Sequence, residues 1–220
     1  MKKIFSVMAV SLLLAGCKVD INTEANYADI QSPEHKLVTG DVYFEVSSCN
    51  DFDDSRKESD SLIKLKKAVP EVFKNANYKE CFKQRMDSYA HYQIPIGVGA
   101  FSDDAKRVDA EIYIYSNDSV LIGVSMDESL IAKIKSKEKE SISNFKFGVN
   151  LKVNGDNKPV TAYVVSAYAA EGSDEMFPAA IAKYTWDGKQ PTTFRLSNVS
   201  VDSIIEMGSV PVMMSPTYFK

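Results

Sequence analysis

Residues 145–155 read Phe145-Lys146-Phe147-Gly148-Val149-Asn150-Leu151-Lys152-Val153-Asn154-Gly155. Large apolar side chains fall at 145, 147, 149, 151 and 153, while Lys146, Asn150 and Lys152 alternate with them. A period of two is that of a half-buried strand. Asn154-Gly155 tolerates positive φ, so it reads as a hairpin turn that returns the chain through Val160 to Ala167. The pattern extends outward on both sides. Ala180 to Trp186 is a further strand and Asp187-Gly188 a further turn, after which Phe194, Leu196, Val199 and Val201 continue, with the spacing broken near Ser197-Asn198. Upstream, Ile94, Ile96 and Val98 alternate, then Ile112 and Ile114 against Tyr113 and Tyr115, then Val120, Ile122 and Val124 after a tight Asn117-Asp118 turn. Val42, Phe44 and Val46 alternate with Tyr43, Glu45 and Ser47 in the same way.

Helical spacing is confined to shorter stretches. Leu62, Leu65 and Val69 share a face, with Ser59 or Asp60 as N-cap and Pro70 as a break or restart. Tyr78 to Tyr89 reads as a second helix, with Cys81 and Phe82 on its inner face. Asp127 reads as an N-cap, Glu128 as first turn, and Lys135, Lys137 and Lys139 as a basic C-terminal end that suits the helix dipole. The expected fold is therefore α+β, with helices in the first half and an antiparallel β-rich second half forming a small β-sandwich. A weak boundary falls near residue 141. The 220 residues are 45% hydrophobic and 25% charged, the composition of a globular chain. With 26 basic against 30 acidic residues, the balance argues against a nucleic-acid partner.

The N-terminus carries a separate message. Met1-Lys2-Lys3 is basic, Ile4 to Ala15 is apolar and too short to span a bilayer, and Leu13-Leu14-Ala15-Gly16-Cys17 follows. This resembles the lipobox of bacterial lipoproteins. The resemblance implies a signal peptide over residues 1–16, cleavage before Cys17, and acylation of Cys17, which ties the protein to the membrane. Each buried methylene contributes about 0.8 kcal/mol, so several acyl chains anchor essentially permanently. Lys18 stands where an Asp in enteric lipoproteins signals inner-membrane retention, which points to an outer-membrane anchor facing the periplasm. Residues 17–35 are expected to form the acylated Cys and a polar tether, and residues 36–220 the folded body.

Cys49 and Cys81 remain. Outside the cytoplasmic membrane such a pair reads as a disulfide. No Cys-x-x-Cys is present, and neither cysteine has a neighbouring His, so a redox or nucleophilic role has no sequence support.

Motifs for chemistry are sparse. His35 and His91 lack metal-ligand spacing, so a zinc site would need the fold to bring them together. Ser173 lies beside Asp174 and Glu175 without an evident base. Gly97-Val98-Gly99 sits in a strand pattern rather than before a helix, which argues against phosphate binding. Asp51, Asp53 and Ser55 alternate as in a calcium loop, but Arg56 and Leu62 occupy positions that need glycine and a carboxylate. The loop reads as solvated and acidic. Lys64, Lys66 and Lys67 spread around a helix as solubilising charge. Tyr27, Tyr43, Tyr89, Tyr92, Tyr113, Tyr115 and Tyr163 either cover a second core layer or offer a contact surface. No catalytic residue, metal ligand or cofactor site is expected.

The order of features also resembles a family of small, functionally uncharacterised lipoproteins of enteric bacteria and their prophages. The resemblance rests on Gly16-Cys17-Lys18-Val19-Asp20, Gly40-Asp41 opening a strand that ends at Cys49, and Asp53-Asp54-Ser55-Arg56-Lys57 with Ser59-Asp60-Ser61. Val69-Pro70, Glu80-Cys81-Phe82 and Asn198-Val199-Ser200-Val201-Asp202 complete it. It implies an envelope protein, in some cases prophage-encoded and able to alter surface receptors or exclude phages. The functional expectation is a non-enzymatic module that binds another envelope protein. The alternatives are a carrier or sensor of an apolar lipid or peptide, and a cell-wall or glycan-active enzyme.

Overall fold

A computed structural model describes residues 18–219 apart from 103–104, 141–145 and 173–175. Cys17, Phe145 and Ser173 therefore lie outside the described residues. The strands are β1 (Lys18–Asn26), β2 (Lys36–Val46), β3 (Asn77–Gln84), β4 (Asp87–Ala100), β5 (Ile112–Ser116) and β6 (Val120–Met126). They continue as β7 (Lys146–Asn154), β8 (Val160–Glu171), β9 (Phe177–Trp186), β10 (Thr192–Leu196) and β11 (Ser209–Met214). The helices are α1 (Tyr27–Ile30), α2 (Asp60–Val72), α3 (Glu128–Glu140) and α4 (Asn198–Met207), with a final 3₁₀ turn at Pro216–Phe219.

The chain is mostly β, with helices in both halves. All strands join one curled sheet in the order β10-β7-β1-β2-β4-β5-β6-β11-β8-β9, with β3 on β4. β10 also pairs with β8, so the path returns on itself. β8 meets β9 along one edge, and β11 and then β10 along the other. The sheet is mixed, since β1 runs parallel to β7 and β4 parallel to β5. The expected antiparallel sandwich is thus replaced by a half-barrel. A boundary near residue 141 does not divide it, because β1 and β7 pair from Lys18↔Lys146 to Asn26↔Asn154.

The expected tether is a central strand instead. Val19, Ile21 and Ala25 are buried between Asp20, Asn22 and Glu24, a short alternation that the polar average of the segment conceals. The expected helix over Tyr78–Tyr89 is the β3–β4 hairpin. Tyr78 pairs with Tyr92 and Glu80 with His91, so Lys79 is an extra residue in β3. The bulge puts Tyr78 and Cys81 on one face, three residues apart, which imitates a helix. Arg85, at φ 57°, and Met86 turn the chain between the paired Gln84 and Asp87.

Pro70 does not end α2, which runs on to Val72 with Val69 and Val72 both buried. Proline falls here in the last turn, where it removes only one backbone bond. The Ser59 hydroxyl accepts from the Leu62 N–H as N-cap. Asn154-Gly155 makes no hairpin, because β10 lies between β7 and β8 and pairs with both. The stretch after Leu196 leaves the sheet as α4, capped at Ser197 and closed by Gly208 at φ 85°. This explains the broken spacing. Asn117 closes the expected β5–β6 turn, its side chain accepting from the Ser119 and Val120 N–H groups.

The core lies between the curled sheet and its helices. Val201, Ile204 and Ile205 of α4 face β6, β7, β8 and β11. α2 packs beside α3, and Phe73 at its C-cap meets Phe44 of β2 edge-on, as Tyr92 of β4 does. Inside the curl, Ile21, Thr23, Ile96, Ile114, Val149 and Leu151 line a void with room for a single water.

Candidate functional site

The cross-strand register sets the outer side of the β1–β2–β4–β3 segment as rows of side chains. Asp20 pairs with Tyr43, Tyr43 with His91, and His91 with Glu80. On one side of this row, Asn22, Asp41 and Gln93 are successive partners. On the other, Glu45 and Phe82 both pair with Tyr89. The inward faces of the same strands hold Val42, Phe44, Ala90 and Tyr92 in the core. Alternation therefore sends the polar and aromatic set outward.

His91 is the centre of this face. Its Nε2 lies 2.8 Å from Asp41 Oδ1, and Gln93 Nε2 donates to the same oxygen at 3.1 Å. An ionised carboxylate only accepts, so in this contact Nε2 is the donor, and Nδ1 lies 3.8 Å from Glu80 Oε1. The Tyr43 ring stacks on the imidazole, with centroids 4.7 Å apart and planes at 16°. Phe82 meets Tyr43 edge-on at 6.0 Å and lies 5.9 Å from Tyr89. Burial, then the Asp41 and Glu80 charges, push the Tyr43 hydroxyl above its ordinary pKa. The face is open, as the 64% exposure of the Glu80 side chain shows. It presents ring surface, carboxylate acceptors, and amide and imidazole donors held in register by strands.

The other sequence candidates resolve as follows. Cys49 and Cys81 are bonded and tie the chain after β2 to β3. His35 sits at the other end of the β2–β4 ladder from His91. Its Nε2 meets the Ala100 carbonyl at 2.9 Å, and its ring packs near Phe101 and Tyr113. The two histidines are not brought together. Gly97 and Gly99 make room for rings, since a Cβ would overlap Tyr113 at Gly97 and His35 at Gly99. The Asp51 loop satisfies itself. Asp51 accepts from the Asp53 and Asp54 N–H groups, and Asp54 is paired by Arg56, which lowers its pKa. Among the described residues no group of three potential metal ligands occurs. Of the tyrosines, Tyr27, Tyr92, Tyr113 and Tyr115 belong to the buried set, while Tyr43 and Tyr89 remain half-exposed. Asp41, Glu80 and Gln93 were not singled out by sequence, because only the register reveals them as neighbours of His91.

A family described as a domain of unknown function (DUF7424) matches residues 19–218, and the chain belongs to it. No curated protein and no solved structure matches.

Proposed function

We propose that this is a lipid-anchored protein of the bacterial envelope whose outer β1–β2–β4–β3 face binds another envelope protein without catalysing a reaction. The observation that carries the reading is the placement of that face. Tyr43 pairs with Asp20, so the aromatic–carboxylate row stands only two residues along β1 from Lys18, the residue that follows Cys17 in sequence, about 7 Å. Acylation of Cys17 would hold the row close to the outer membrane, within reach of a partner embedded there. Aromatic side chains around desolvated hydrogen-bonding groups are the usual centre of a protein interface. A prophage-encoded modifier of a surface receptor is one form of this function. The carrier reading gains no support from the tight interior beside Thr23.

The test is site-specific photocrosslinking of the full lipoprotein in its host, with the reactive group at Tyr43 and a control at Ile181 on β9. The expected result is one envelope protein joined at Tyr43, absent at Ile181, and lost when Tyr89 and His91 are both replaced by Ala. No protein adduct specific to Tyr43 would overturn the proposal.

A further inference from the structure

The lipoprotein reading fixes one point of attachment, and the fold leaves almost no chain between that point and the sheet. Cys17 is bonded to Lys18, and Lys18 is the first residue of β1. Val19 pairs with Phe44, so Lys18 at the start of β1 lies level with Glu45, one residue before Val46 at the end of β2. Val46 pairs with Ser88, and the β3–β4 turn at Arg85-Met86 projects just past it. At the spacing of adjacent strands this turn stands about 10–15 Å across from the start of β1. One rim of the half-barrel therefore carries both the first residue of β1 and the hairpin tip.

Two large apolar side chains are exposed in the segments that adjoin this end of β2 and β3. Met86 is 92% exposed at the tip, between Lys83 and Arg85 on one side and Asp87 on the other. Phe52 is 100% exposed in the loop closed by the Asn50↔Glu58 bridge, which follows β2 by a few residues. The Cys49–Cys81 disulfide fastens the base of that loop to β3, three residues before its end. Both apolar tips thus stand on segments fastened to β3, which β2 and β4 separate from β1; Lys83 and Arg85 adjoin Met86, whereas Asp51, Asp53 and Asp54 adjoin Phe52.

We propose that the rim formed by the β3–β4 turn and the Phe52 loop is a membrane seat: Met86 and Phe52 enter the headgroup–acyl boundary of the bilayer that holds Cys17, and Lys83 and Arg85 meet lipid phosphates. An exposed apolar side chain with adjacent basic residues, as at Met86, binds such an interface through buried apolar area and charge attraction, while Phe52, among carboxylates, contributes apolar area alone. The seat fixes the strands upright and presents the Tyr43–His91 row sideways, just above the lipid. It rests on the acylation reading.

The experiment uses the full acylated lipoprotein in vesicles of phosphatidylethanolamine and phosphatidylglycerol. Acylation occupies Cys17 and the disulfide occupies Cys49 and Cys81, so Met86→Cys offers a single thiol for an environment-sensitive fluorophore. Phe52→Cys is the second label site. Leu37→Cys is the control, because Leu37 is 53% exposed and nine residues along β2 from Val46, about 30 Å from the rim. The expected result is blue-shifted emission at 86 and 52, quenched by spin-labelled lipid, with aqueous emission at 37. Aqueous emission at all three sites from protein that floats with the vesicles and shows acyl chains by mass would overturn the seat while leaving the anchor intact. Protein without acyl chains would overturn both.

Discussion

Tyr92 shows how a residue deep in the sheet sets an alkaline limit on stability. Its side chain is buried against Phe44 and Tyr78, and its hydroxyl has no hydrogen-bond partner. Burial, chiefly, raises its pKa to about 12. The neutral form is favoured in the fold, so the unfolded chain releases this proton first. The contribution is complete below the unfolded value near 10, and is lost as pH rises from there to about 12. Tyr92→Phe removes an unpaired buried hydroxyl, whose presence is costly. Thermal melts are expected to place Tyr92→Phe at or above the parent at pH 7, with a shallower fall above pH 10; a clear loss at pH 7 would contradict the unpaired hydroxyl. Glycine matters for space at two ring contacts. Gly97 is the partner of Tyr113 and Gly123 the partner of Tyr115, and a Cβ at either would overlap the ring. Gly97→Ala is expected to destabilise by about 1–3 kcal/mol in denaturant melts, the usual cost of overpacking.

At the scale of elements, the disulfide and the free edge strand give opposite expectations. Cys49 and Cys81 are 32 positions apart and join an irregular loop to β3. Replacing both with Ser should lower stability by about 3–4 kcal/mol in the chain-entropy model, and protease sensitivity should rise within residues 47–58 first. β9 ends the strand path and, among the described residues, pairs only with β8. Ile181 is exposed there, so Ile181→Lys should change stability by about 0.5 kcal/mol or less, as surface changes do. The elements also show what the sequence made legible. Strands with a strict period of two and a buried face, such as 94–98 and 147–153, were readable because alternation is local. The β3–β4 hairpin was not, because one bulged residue turns period two into a helical spacing. β1 was hidden by its polar outer face. Pairing is non-local, so neither the parallel β1–β7 contact nor the insertion of β10 between β7 and β8 left a sign in the chain. His91 was visible as a histidine, but its neighbours Asp41 and Glu80 are 50 and 11 positions away and meet it only through register.

At the scale of the whole molecule, the sheet would convert the proposed acylation of Cys17 into an orientation. β1 lies between β2 and β7, third in the path, so a pull on its first residue is carried by hydrogen bonds on both edges. A flexible tether would let the recognition face sample many directions. Under the proposed anchoring, a strand that begins next to Cys17 in sequence would instead hold that face at one height and angle, lowering the entropy lost on meeting the proposed membrane-embedded partner. The account stands on processing at Cys17. The most direct measurement is the intact mass, with N-terminal fragmentation, of the protein extracted from the host membrane. The predicted result is a chain that begins at Cys17, carries a diacylglyceryl thioether and an amide-linked acyl chain, and retains the Cys49–Cys81 bond. A chain that keeps Met1, or that begins elsewhere with an unmodified Cys17 thiol, would contradict it.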